Sequence, residues 1–156
     1  MSKSLKMFTI STFSILCIIL CGCGVIDVTG KTFAYGGVSI NWNNVSDDVK
    51  AEIFDIYQVG NEIELKVVLK TAGGRNSRLT TFGTDGKYIT KDSLGNILDS
   101  GYYEQSEGYI ALADTIEELN SEKVYKIYPN EKGYKVRIEI DGEKGIYAEY
   151  QYVEIT

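Results

Sequence analysis

An all-β domain with one or two short helices, an antiparallel meander closing into a small barrel, is the fold this sequence predicts, and three observations predict it. Apolar and polar residues alternate with period two in several runs, most regularly Tyr134, Val136, Ile138 and Ile140 against Lys135, Arg137 and Glu139. Turn pairs such as Asp85-Gly86 and Asp141-Gly142 separate the runs. The runs number eight or nine in sequential antiparallel order, enough to close a sheet on itself and remove its exposed edges.

The first element is not part of that domain. Met1 to Lys6 hold two lysines and no acid, and Met7 to Cys21 are almost entirely apolar or hydroxylic, the order of an export signal. This run is shorter than the roughly 20 apolar residues a spanning helix needs. Leu20-Cys21-Gly22-Cys23 resembles the lipobox of bacterial lipoproteins: a branched apolar residue, a tolerant position, a small residue and the acylated cysteine. The resemblance implies a lipoprotein signal peptide over residues 1–22, lipid attachment at Cys23, a lipidated N-terminus and tether over 23–30, and one β domain over 31–156. Each buried methylene contributes about 0.8 kcal/mol, so two or more acyl chains anchor stably where one does not. The expected location is extracytoplasmic and lipid-anchored to the cell membrane. Gly24 does not resemble the acidic inner-membrane retention signal, which implies the outer membrane in a cell that has two.

Cleavage has two further consequences. Cys17 and Cys21 leave with the signal and Cys23 becomes a thioether, so the mature domain keeps no thiol and no disulfide. Lys3 and Lys6 leave as well, so 14 basic residues face 22 acidic ones and the net charge becomes −8. The basic footprint of a nucleic-acid partner is absent, and the acid excess suits solubility beside an anionic membrane.

In the mature chain, Lys31 to Trp42 carry Phe33, Tyr35, Val38, Ile40 and Trp42 around Gly36-Gly37, which is either a bulge or a two-residue hairpin turn. Asn43 to Gln58 break the alternation: Ser46 is an N-cap, Asp47 and Asp48 suit the positive end of the helix dipole, and Val49, Ile53, Ile56 and Tyr57 fall at helical spacing. Glu62 to Lys70 alternate again, Ile63, Leu65, Val67 and Leu69 against Glu64, Lys66, Val68 and Lys70, and predict a strand with one wet face, followed by a Gly73-Gly74 loop. Two hairpins follow, Leu79–Phe82 with Lys87–Ile89 and Ile97–Glu104 with Tyr109–Ala113. Asp114 to Glu117 form a capping box that starts one helical turn. Val124–Tyr128, a turn at Pro129 to Gly133, and strands on either side of Asp141-Gly142 complete the meander.

Gly30-Lys31-Thr32-Phe33, the stretch from Leu79 through Asp85-Gly86 to Thr90, and the stretch from Ser100-Gly101-Tyr102 to Leu112 resemble the bacterial lipocalin-like lipoprotein domains. Those domains repeat a strand, an Asp-Gly turn, a glycine-aromatic strand and a polar turn, and the likeness spans most of residues 30–155. Phe33 stands in a Gly-x-x-Phe arrangement where true lipocalins begin with Gly-x-Trp. What the resemblance implies is a lipocalin-like barrel, with either a filled interior or room for one small ligand.

The chain has no histidine, which removes the commonest general base, the usual zinc ligand and every Ser-His or Cys-His arrangement. The acidic residues Glu117, Glu118, Glu139 and Glu149 read as solvated faces. Gly73-Gly74-Arg75 lacks the lysine and hydroxyl of a phosphate loop and reads as flexible chain. The sequence therefore points to no enzyme, no metal and no cofactor. Twelve tyrosines are the compositional excess; most suit strand packing, and some face outward or into a lumen. The leading expectation is a non-enzymatic binding module for a small apolar or amphipathic ligand, lined by Phe33, Tyr35, Ile63, Leu65, Val136 and Ile138. If those side chains fill the barrel, the alternative is a protein-interaction or inhibitor module that meets an envelope protein with its outer face or with loops 72–78 and 105–108.

Overall fold

The structure, a computed structural model, describes residues 26–122 and 124–156. The signal peptide and Cys23 lie outside the described residues. Eight strands, β1 (Thr32–Asn41), β2 (Leu79–Phe82), β3 (Lys87–Lys91), β4 (Ile97–Ser106), β5 (Tyr109–Ala113), β6 (Tyr125–Asn130), β7 (Gly133–Asp141) and β8 (Ile146–Ile155), pair antiparallel in sequence order. The ladder from Thr32–Ile155 to Asn41–Tyr147 joins β8 to β1 and closes the barrel.

Gly36-Gly37 is the bulge. Tyr35 pairs with Tyr152 and Gly37 with Gln151, leaving Gly36 as the extra residue. A Cβ on Gly36 would come within 2.9 Å of Val153, so glycine fits where the strand crowds its neighbour. The extra residue switches the alternation, and Phe33, Tyr35, Val38 and Ile40 all contribute to the core.

Two helices and a 3₁₀ segment stand between β1 and β2. Helix α1 (Asp47–Ile56) starts where the spacing predicts, with the Ser46 hydroxyl accepting from the Val49 amide. Helix α2 (Glu62–Thr71) overturns the strand expected over Glu62 to Lys70. Its cap explains why. Asn61 accepts from the Ile63 and Glu64 amides, Glu64 reaches back to the Gly60 amide at 2.7 Å, and Glu62 pairs with Lys66 one turn on. Leu65 and Leu69, four residues apart, form the buried stripe. Ile63 points the other way and is 76% exposed. Trp42, just after β1, holds both helices, with its ring edge-on to Phe54 and its indole N–H donating to Glu62 at 3.0 Å.

Three smaller differences have local causes. The capping box begins one residue later than expected: the Thr115 hydroxyl and the Glu118 carboxylate each accept the other's backbone amide, ahead of a 3₁₀ turn at Glu117–Asn120. Pro129 sits in β6 opposite Tyr134 rather than in a turn. It lies past Tyr125–Ile127, the part of β6 that pairs with β5, so its missing N–H breaks no ladder bond on that flank. The stretch 26–30 is docked rather than free. Val28 is fully buried, Gln105 bonds both the Val28 amide and the Ile26 carbonyl, and the Gly30 amide donates to Phe82 at 2.7 Å.

Candidate functional site

The up-and-down topology gives the barrel two distinct ends. The docked stretch 26–30, the short turns after β2, β4 and β6, and the end of β8 share one end. The helices, segment 72–78, the β3–β4 and β7–β8 turns and the connection after β5 share the other, the rim.

The interior between them is packed with rings. Phe82, fully buried, meets Phe33, Tyr103 and Tyr134 edge-on at centroid distances of 5.8, 4.9 and 5.7 Å. Tyr134 stacks on Tyr152 at 5.0 Å, and Tyr35 meets Tyr152 edge-on. Ile110, Ile127, Ile146 and Ala148 fill the spaces around them. Burial raises the Tyr88, Tyr134 and Tyr152 hydroxyls above the usual tyrosine range, so these groups stay neutral.

Of the residues expected to line a pocket, Phe33 lies wholly inside the ring cluster, and Tyr35, Val136 and Ile138 face the same interior. Leu65 packs against the core from α2 instead of from a strand, and Ile63 faces solvent.

Beside the connection after β5, an open depression of about 440 Å³ is lined by Asp114, Glu118 and Val124. Inside the barrel beneath the rim lies a cleft of about 70 Å³, far below the roughly 300–1,000 Å³ of a pocket for a drug-sized ligand. Its walls mix polar groups, Arg75, Arg78, Thr80, Thr90 and Asp99, with Leu112, Ile127, Val136 and the rings of Tyr88, Tyr125, Tyr134 and Tyr152; Val136 is the one expected lining residue among them. Gly73 and Gly74, at φ +62° and +61°, turn the 3₁₀ segment Ala72–Ser77 across the barrel mouth. The Tyr150 hydroxyl donates to the Leu69 carbonyl at 2.9 Å and the Tyr152 hydroxyl to the Arg75 carbonyl at 3.4 Å, fastening the crossing from within. Arg75 lies over the Tyr150 ring, 5.3 Å from its centroid. Arg78 donates to the Gly73 carbonyl at 2.8 Å, and its Nε is buried with no hydrogen-bond partner. Asp99, the one acid in the cleft, accepts from the Tyr88 hydroxyl at 3.1 Å.

The sequence placed both arginines only within a contact loop over 72–78, with Gly73-Gly74-Arg75 read as flexible chain, and singled out neither. The usable signal was parity: Arg78, the extended residue just before β2, is in step with Thr80 and Phe82, so an inward Phe82 carries Arg78 inward too.

The outward tyrosines are covered by cations. Lys87 lies over Tyr102, Lys126 over Tyr109, and Arg137 over both Tyr128 and Tyr147, at 4.4 to 5.8 Å. Exposed aliphatics gather instead at the rim: Ile63 and Val67 on α2, Leu94, Ile97 and Leu98 at the β3–β4 hairpin, and Ile116 after β5. Among the described residues, no group of three acidic side chains is placed to hold a metal ion, and no helix is long and apolar enough to cross a membrane. Comparison of the chain with protein-family models, curated proteins and solved structures found no match.

Proposed function

We propose that this chain is a lipid-anchored extracytoplasmic lipoprotein whose barrel is a non-enzymatic binding module that meets its target at the rim and not in a lumen. The observation that carries this reading is the filled interior: interlocked aromatic rings occupy the space an apolar ligand would need, and the cleft that opens among them beneath the rim has a volume of about 70 Å³. Two features support the choice of the rim. The stretch following Cys23 docks at the opposite end, so an acylated Cys23 would leave the rim facing away from the membrane. The rim also collects exposed apolar side chains, Leu94 at 85% and Ile63 at 76% among them, a composition typical of surfaces that meet partners. The outer wall is less suited to contact, since its tyrosines already lie under lysine and arginine.

The test uses the full chain in its cells with a photo-crosslinking residue at Ile63 or Leu94 on the rim, or at Glu107 on the opposite end. The expected result is an acylated, membrane-bound protein that cross-links to an envelope protein from the rim positions only. A Cys23→Ala protein that remains acylated and membrane-bound would remove the lipoprotein reading. Equal cross-linking from Glu107, or none from either rim position, would remove the rim reading.

A further inference from the structure

We propose that the cleft beneath the rim is an oxyanion site, built by Arg75 and Arg78 to take a carboxylate or phosphate group of a small ligand. In a chain with a large acid excess, two of its three arginines, Arg75, Arg78 and Arg137, stand four positions or fewer apart and face one concavity. Arg137 has an acid, with Nε donating to Glu149 at 3.0 Å. Among the described residues neither Arg75 nor Arg78 has an acidic group within ion-pair distance.

Leaving charge half-buried without a counter-charge is costly, so a filled partner position is the more stable arrangement. The Arg78 Nε–H is shielded from water and has no acceptor within hydrogen-bond distance, and a guanidinium is a planar fork suited to a two-oxygen anion. Segment 72–78 is held from below by Tyr150 and Tyr152, so the two cations need little ordering when an anion arrives. Thr80 and Thr90 bond each other at 3.0 Å and Tyr88 is committed to Asp99, so the remaining N–H groups of the two arginines and the Tyr125 hydroxyl are the donors best placed for an anion. Asp99 sets the limit on charge: it offsets part of the positive field and favours an anion held at the Arg75 and Arg78 side of the cleft. A volume near 70 Å³ is room for a few heavy atoms, which fits an anionic group and not an acyl chain. This inference stands whether or not Cys23 is acylated.

The experiment is a titration of the full chain in an uncharged detergent, following the three arginine Nε–H signals by ¹⁵N NMR. The probes are inorganic phosphate, glycerol 3-phosphate and acetate, with chloride as the control. Saturable shifts of the Arg75 and Arg78 signals, with Arg137 unmoved, are expected from at least one probe. A preference for acetate would mark a carboxylate ligand, one for glycerol 3-phosphate a lipid-type headgroup, and one for inorganic phosphate a free ion. Arg78→Gln should weaken the binding roughly tenfold, about the loss of one charge-assisted hydrogen bond. Arg78→Lys, which keeps the charge and removes the fork, should recover only part of it. The inference is overturned if no probe moves the two signals at millimolar excess, if Arg137 and chloride give the same response, or if folded Arg78→Gln binds like the parent.

Discussion

Phe82→Ala puts the filled barrel to its most direct test. The ring is completely buried and lies within 6.4 Å, centroid to centroid, of Phe33, Tyr88, Tyr103 and Tyr134. Truncating such a residue costs about 3–5 kcal/mol, from lost transfer energy and from the void that neighbours cannot refill. Against a typical total of about 5–15 kcal/mol this is a large share. At about 4 °C per kcal/mol for a domain of this size, it corresponds to a drop in Tm of about 12–20 °C. The void should also be usable, since enclosed apolar cavities of about 150 Å³ stay dry and take benzene. Benzene should therefore raise the Tm of the Phe82→Ala protein and leave the parent unchanged. Calorimetry with and without benzene reads both effects. If the substitution costs less than about 1 kcal/mol, or if benzene stabilises the parent as much as the variant, the interior is not filled and a lumenal apolar ligand becomes the better reading.

Three further outcomes follow from the same packing. Leu65→Ala should cost about 2–5 kcal/mol and Ile63→Ala less than about 0.5 kcal/mol, because α2 buries one and exposes the other; equal losses in denaturant unfolding would restore the strand. Gly101→Ala should destabilise by about 1–3 kcal/mol, since the added Cβ would lie 2.3 Å from the Ala113 carbonyl oxygen and force β4 from β5; a neutral or stabilised variant in thermal melts would refute that crowding. Burial alone would raise the Glu149 carboxyl, but hydrogen bonds and charge from Lys135 and Arg137 hold it below the ordinary glutamate value of 4.5. A depressed folded value stabilises above the unfolded value and loses that contribution as pH falls through the folded one. Glu149→Gln should therefore cost about 1–2 kcal/mol at neutral pH and flatten the loss of stability below pH 4.5, measured as denaturant midpoint against pH.

The strands were legible because their signals were redundant. Around β7 and β8 the alternation, the β-branched and aromatic content and the Asp141-Gly142 turn all name one arrangement, and the barrel follows from sequential pairing with no free edge. The stretch Glu62 to Lys70 failed because a run of this length satisfies both periods: Ile63, Leu65 and Val67 alternate, while Leu65 and Leu69 also fall one helical turn apart. Asn61, Glu64 and the Glu62–Lys66 spacing tip the balance, and they act on backbone donors that hydropathy does not register. The cleft was less legible still. It is made by the crossing of 72–78 over strands far away in sequence, and whether the inward aliphatics enclose space depends on the volumes of rings brought together from β1, β2, β4, β7 and β8.

The docked N-terminal stretch also bears on how the molecule would sit at a membrane. With Val28 buried and Ile26 held by Gln105, only three peptide links separate Cys23 from the barrel, a reach of at most about 10 Å even when fully extended. An acylated Cys23 would thus keep the barrel end close to the lipid surface. That end carries Asp27, Asp85, Glu104, Glu107, Glu131 and Glu154 against Lys31, Lys87 and Lys132, and Lys31 is already paired with Glu154. An anionic surface would repel it, but over a Debye length of about 8–10 Å, comparable to the reach of the link. The two lengths together favour a barrel standing off the bilayer, not lying along it, and repulsion would then help hold the rim outward. Lowering the ionic strength should strengthen this orientation, whereas Glu104→Lys with Glu107→Lys should let the barrel settle onto anionic lipid. Fluorescence quenching by headgroup-labelled lipid at a dye on residue 131 would follow the change, and quenching independent of both salt and the charge reversal would refute the standing arrangement.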